Sequence, residues 1–173
     1  PGTVIEPSIL TETENNYLAC ITTYNNQFAA AFCDLSTGEF FTTTIESLPA
    51  LLSELIRLNP SECLIPESLR VDQELLNKIK NTGCFLTTME DYFFRSEKAK
   101  EILLHHFNLT SLHSLGLEEK KTNTAVSGAL LHYLLNTQKN SLAHLQNVSI
   151  RSSTQSMLLD ASTFRNLELT KNL

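Results

Sequence analysis

Residues 16–45 constrain the fold more than any other stretch of this 173-residue chain. Tyr17 to Thr23, Phe28 to Leu35 and Phe40 to Ile45 are rich in β-branched and aromatic residues, and Asn25-Asn26-Gln27 and Ser36-Thr37-Gly38 separate them as hairpin connections would. The pattern predicts three consecutive antiparallel strands. The middle one is apolar on both faces, with Phe28, Ala30 and Phe32 on one and Ala29, Ala31, Cys33 and Leu35 on the other. Successive side chains of a strand point to opposite faces, so this strand needs cover above and below.

The chain that follows supplies such covers. Between Ser47 and Leu58, the spacing of Leu48, Leu51, Leu52, Leu55 and Ile56 predicts an amphipathic helix with Pro49 in its first turn, stopped by Asn59-Pro60. Cys63-Leu64-Ile65, closed by Pro66, reads as a buried strand. Val71, Leu75, Leu76 and Ile79 mark a second helix ending at Gly83, and Cys84-Phe85-Leu86 a fifth strand. A meander continued by strand–helix–strand crossovers is the order of a ribonuclease-H-like α/β layer: a mixed sheet, part antiparallel and part parallel, with helices on both faces.

From Ser96 the pattern becomes mainly helical. Ala99, Ile102, Leu103 and Phe107 form an apolar stripe, with Lys98, Glu101 and His105 on the outer side. In the next helix, Thr124 to Gln138, Val126, Ala129, Leu130 and Tyr133 occupy one side and Leu131, Leu134 and Leu135 the other. A helix apolar nearly all round must be sandwiched, and the expected covers are the α/β layer and a following helical domain. Gly128 within it predicts a close backbone approach, because glycine in a helix interior costs about 1 kcal/mol relative to alanine. Val148 to Ile150 and Met157 to Leu159 read as short strands, and Asp160 to Leu173 as a further helix whose partner is missing.

One well-buried domain plus a fragment of a second fits this length. Pro1-Gly2-Thr3 lacks an initiating Met, and the polar run to Asn15 reads as a linker, so the expectation is a piece cut from something longer. No apolar run reaches the length of a membrane span and no leader pattern opens the sequence, which points to a cytoplasmic context without a membrane partner. Residues 1–93 carry 4 basic and 13 acidic side chains, residues 94–173 carry 9 and 6. An acidic surface repels a phosphate backbone, so the piece by itself is a poor nucleic-acid binder.

Catalytic and metal motifs are missing. Cys20, Cys33, Cys63 and Cys84 each sit alone in an apolar run, without a C-x-x-C pair, and read as buried free thiols. There is no phosphate-cradling G-x-x-x-x-G-K-[ST] loop and no metal-ligand spacing among His105, His106, His113, His132 and His144. The Glu101–His105 spacing reads as a surface ion pair. Asn108-Leu-Thr and Asn147-Val-Ser match the glycosylation pattern, which carries little meaning without a secretory signal. A competing reading is a metal-dependent nuclease of the ribonuclease-H type using Asp34, at the end of the second strand. Such chemistry needs several converging carboxylates, and neither Cys63 to Ile65 nor Cys84 to Leu86 supplies one, so Asp34 reads better as a cap on the Ser36-Thr37-Gly38 turn.

Several blocks together resemble the MutS family of DNA mismatch-recognition ATPases: Pro1-Gly2-Thr3, Asn16-Tyr17-Leu18-Ala19, Asp34 to Phe40, Asn59-Pro60-Ser61-Glu62, Gly128 to Leu134 followed by Thr137-Gln138, and above all Leu159 to Leu169. The resemblance implies a linker over 1–15, a connector domain over 16–138 with a ribonuclease-H-like fold and no nuclease activity, and the start of a helical core domain over 139–173. It further implies that the mismatch-reading wedge lies upstream and the ATP- and Mg-binding machinery downstream. This piece would hold no cofactor and would reach DNA only through other domains of the same chain. Its implied partner is MutL, and the surface expected to meet it includes Lys98, Glu101, Ile102, Asn136 and Gln138; a solvated helix face is the alternative. Val126, Gly128, Leu130, Leu131 and Leu134 are expected to pack between connector and core, as a relay of ATP-driven movement or as plain structural packing.

Overall fold

A computed structural model of the chain describes residues 16–138, 140 and 142–152. The expected linker, the Met157–Leu159 run and the Asp160–Leu173 helix lie outside the described residues.

The meander forms as its sequence dictates. Strands β1 (Tyr17–Tyr24), β2 (Gln27–Asp34) and β3 (Glu39–Ile45) pair antiparallel, and Asn25 and Asn26 adopt the left-handed backbone that a two-residue hairpin turn requires. Helix α1 (Leu48–Leu58) begins at Ser47, whose hydroxyl accepts the Ala50 N–H at 3.3 Å, and ends at Asn59 in the left-handed conformation. Strand β4 (Glu62–Pro66) lies parallel beside β1, helix α2 (Gln73–Lys80) is capped by Asp72 on the Leu75 N–H, and strand β5 (Phe85–Met89) lies parallel beside β4. Helices α3 (Ser96–Phe107) and α4 (Lys121–Thr137) follow, and β6 (Ser149–Ser152) pairs parallel with the outer edge of β3. The sheet order is β5-β4-β1-β2-β3-β6, a mixed sheet of the ribonuclease-H-like type.

The two faces of β2 separate two cores, with the parity read from the sequence. Ala30 and Phe32 pack with Tyr17, Ile21, Phe41 and the apolar sides of α1 and α2, including Leu51, Leu55, Leu75 and Ile79. Ala29, Ala31 and Cys33 pack with Cys20, Phe40 and the helices α3 and α4. Asn123, at the start of α4, ties that helix to β3. Its amide donates to Thr42 Oγ1 (3.1 Å), and its carbonyl accepts from Thr44 Oγ1 (3.1 Å).

Helix α4 is enclosed as its composition demands, but its second cover is α3, which precedes it in the chain. Val126, Leu130, Leu131 and Leu134 are all fully buried in the core they share with Leu103 of α3 and the sheet. A Cβ at Gly128 would lie 2.4 Å from the Cβ of Ala99 and 2.5 Å from its Cα, so the close approach read from that glycine is the α3–α4 crossing itself. Leu135, placed on the apolar side by its spacing, is 45% exposed.

Two further residues depart from the expected pattern. Val71, assigned to the buried stripe of α2, lies in a 3-10 turn ahead of that helix and is 88% exposed, because the helix starts only after Asp72. Phe85, assigned to a buried strand, opens the edge strand β5 beyond the reach of the covering helices and is 70% exposed.

Candidate docking surface

The 3-10 turn Asp91–Phe94 connects β5 to α3 and sets the surface geometry. Asp91 anchors it by accepting from the backbone N–H and the hydroxyl of Ser68, at 3.0 and 2.9 Å. The anchored turn places the Phe93 ring flat on the imidazole of His132 in α4, with centroids 3.8 Å apart and planes 17° from parallel. Tyr92 meets Phe93 edge-on at 5.4 Å and remains 47% exposed. Two cations flank it: the Arg95 guanidinium lies 5.8 Å and the Lys98 ammonium 6.0 Å from the ring centroid. These distances sit at the outer limit of a cation–π contact.

Of the residues picked from the sequence, Lys98 and Glu101 pair with each other, while Asn136 bonds within α4. Lys98 pairs with Glu101 at 3.0 Å, one turn on in α3. The Asn136 amide donates to the His132 carbonyl at 2.9 Å and lies 3.0 Å from the ring Nε2. Burial between Phe93 and α4, reinforced by the nearby Lys98 charge, holds the His132 imidazole below its ordinary pKa. Gln138 is exposed just past the end of α4, two residues beyond Asn136. Ile102 is half-buried against the core, on the side its stripe spacing suggested. Sequence reading missed Tyr92, Phe93 and His132. The aromatic run Tyr92-Phe93-Phe94 was their only local signal.

Asp34 behaves as the turn residue it was read to be. Its Oδ1 accepts from the Ser36 N–H (2.8 Å) and hydroxyl (2.6 Å), while the Gly38 N–H bonds back to the Asp34 carbonyl at 2.9 Å. Its side chain is fully buried, which the turn reading did not anticipate. Nearby, Glu39 accepts hydrogen bonds from the Tyr17 hydroxyl and the Arg151 guanidinium. Burial alone would raise the Glu39 carboxyl, but these two hydrogen bonds and the Arg151 charge outweigh it and hold the group below the usual carboxylate range.

Among the described residues, no helix is long and apolar enough to cross a membrane, and no three His, Cys, Asp or Glu side chains are grouped as metal ligands would be.

Comparison with known proteins places this architecture. A family model described as MutS domain II matches residues 16–146. The DNA mismatch repair protein MutS of Methanococcoides burtonii is 35% identical over the whole chain, and the one of Protochlamydia amoebophila is 38% identical, also over the whole chain. The MutS of Wolbachia pipientis wMel is 38% identical over 98% of the chain. In each case the match covers 20% of the relative, so the chain spans about one fifth of the length of these curated relatives. The six-stranded sheet, its two-sided helical cover and these matches together make the chain a member of the MutS family, carrying its domain II, the connector.

Proposed function

We propose that this connector docks MutL on the surface built from Tyr92, Arg95, Lys98, Glu101, His132 and Asn136, and carries ATP-driven movement between the mismatch-reading and core domains. The single observation behind the docking reading is Tyr92, half-exposed on an anchored turn and flanked by two cations. Tyrosine and arginine are enriched where proteins meet, since a rigid amphipathic ring buries much area with little loss of conformational freedom. In this reading mismatch recognition, ATP and Mg²⁺ belong to other parts of the intact protein, DNA is reached only through them, the connector performs no chemistry, and the site of action is the cytoplasm. The acidic first half of the chain suits such a protein-facing role better than contact with phosphates.

The test is the double charge swap Lys98→Glu with Glu101→Lys in the intact protein. The swap keeps an ion pair within α3, inverts the field that a partner meets and replaces one of the two cations beside Tyr92 with a carboxylate. Recruitment of MutL to mismatched DNA with ATP should weaken by roughly tenfold, the scale of about 1.4 kcal/mol expected when an interfacial charge is reversed. Unchanged recruitment would count against this surface and leave a solvated helix face.

A further inference from the structure

Among the described residues the sheet has two edge strands, β5 and β6, and only one of them is guarded. Strand β6 carries Arg151, whose guanidinium lies over the Phe41 ring and bonds to Glu39. Strand β5 reads Phe85-Leu86-Thr87-Thr88-Met89, without a charge, a proline or a glycine, and pairs with β4 without a bulge. An edge in this state is a template for a further strand, which is why folded proteins usually blunt their edges with charge, proline or a bulge.

The register shows which main-chain groups are open. Phe85 lies opposite Glu62 in the parallel ladder, and its N–H donates to the Ser61 carbonyl at 3.0 Å. Phe85 therefore turns its backbone groups toward β4, and by alternation so do Thr87 and Met89. Leu86 and Thr88 turn their N–H and C=O groups outward, where no described residue bonds to them. Side chains alternate as well. Met89 belongs to the core under α3 and α4, and Leu86 packs against the one under α1 and α2, which puts the exposed Phe85 on the α3–α4 side.

That side is the one with the docking surface. Glu62, opposite Phe85, accepts hydrogen bonds from the Thr87 hydroxyl and from the Tyr133 hydroxyl of α4, the latter at 2.8 Å. Asn136 follows Tyr133 one turn on, on the same side of α4. At its other end β5 runs through Glu90 into the turn that carries Tyr92.

Building on the docking reading, we infer that this surface takes its partner by strand addition: an extended segment of the partner pairs with Leu86 and Thr88 along β5 and lays an apolar side chain on Phe85. Main-chain bonds supply affinity in such contacts and alternate side chains supply selectivity. Charge decides the occupant. A second copy would bring together two stretches of residues 1–93, each with 13 acidic and 4 basic side chains. A partner segment that ends in a basic residue meets the exposed Glu90 and Asp91 directly after β5.

Amide exchange in the intact protein, resolved to single residues, tests this with MutL as the probe on mismatched DNA with ATP. Leu86 and Thr88 should exchange freely in the protein alone and on the order of tenfold more slowly in the complex, while Phe85 and Thr87, whose N–H groups face β4, change far less. Thr88→Pro removes an outward donor and sets a ring on the edge, a substitution edge strands tolerate, and should weaken recruitment by roughly tenfold. Protection of Leu86 and Thr88 in the protein alone would overturn the inference, since another segment of the chain or a second copy then holds the edge. Exchange left unchanged by the complex would overturn it too. If that occurs while the Lys98–Glu101 swap weakens recruitment, docking stands and strand addition fails; if the swap is also without effect, both fall. The wild-type exchange measurement decides even if the proline variant fails to fold.

Discussion

The contact between Gly128 and Ala99 is the most sharply determined residue position in the fold. A methyl group at 128 would fall 2.4–2.7 Å from the Cβ, Cα and carbonyl oxygen of Ala99, and two of those atoms are backbone that cannot rotate away. Gly128→Ala should therefore destabilise the domain by about 2 kcal/mol: overpacking against backbone costs about 3 kcal/mol, the upper end of the usual range, against a gain of about 1 kcal/mol in helix propensity. A lower urea midpoint with an unchanged slope is the expected readout, whereas a stabilised variant would mean that α3 shifts freely. This glycine was legible in the sequence because a helix interior rarely keeps one without reason. Asp34 was legible for a similar local reason, as a turn residue two positions before Ser36. The stack of Phe93 on His132 was not, since it joins two elements with no shared period, and neither was the exposure of Val71, which turns on the helix starting two residues further on, at Gln73.

At the scale of elements, the meander and both pairs of helices follow the apolar periodicity closely, because each buries a face whose spacing is written locally. The edge strand β6 is different, held as much by particular side chains as by its ladder. Arg151 bonds to Glu39 at the start of β3 and lies 3.7 Å over the Phe41 ring, while His144 lies 2.9 Å from the Leu35 carbonyl. Glu39, with its carboxyl held below 4.5, favours the folded form when ionised. Its contribution is therefore present above the ordinary carboxylate pKa and is lost as the pH falls through the lower folded value. Amide exchange at Ile150 and Arg151 should accelerate relative to the β1–β2 ladder below about pH 4.5. Arg151→Ala should bring that faster exchange to neutral pH. If exchange of β6 keeps pace with β1 and β2 across this range, the ion pair is incidental to the pairing of the edge strand.

The described residues form a sheet with one core on each face, and α4 belongs so completely to one of them that it cannot slide by itself. It packs on β1, β2 and β3 from one side and on α3 from the other, and it is pinned to β3 through Asn123. Interiors packed this densely resist graded deformation, so a force on α4 should turn the sheet and the helices α1 to α4 together. Movement relayed through the connector should accordingly appear as rotation of a rigid body. In the intact protein, one spin-label pair between the exposed Arg57 of α1 and the exposed Glu97 of α3 reports the interior of the domain, and a second from Arg57 to the core domain reports its orientation. Between ADP and ATP states the second distance should change by several ångström while the first stays constant. A first distance that changes as well would place the flexing inside the connector and contradict rigid transmission. If neither changes, the relay fails, and the near-complete burial of α4 serves packing alone.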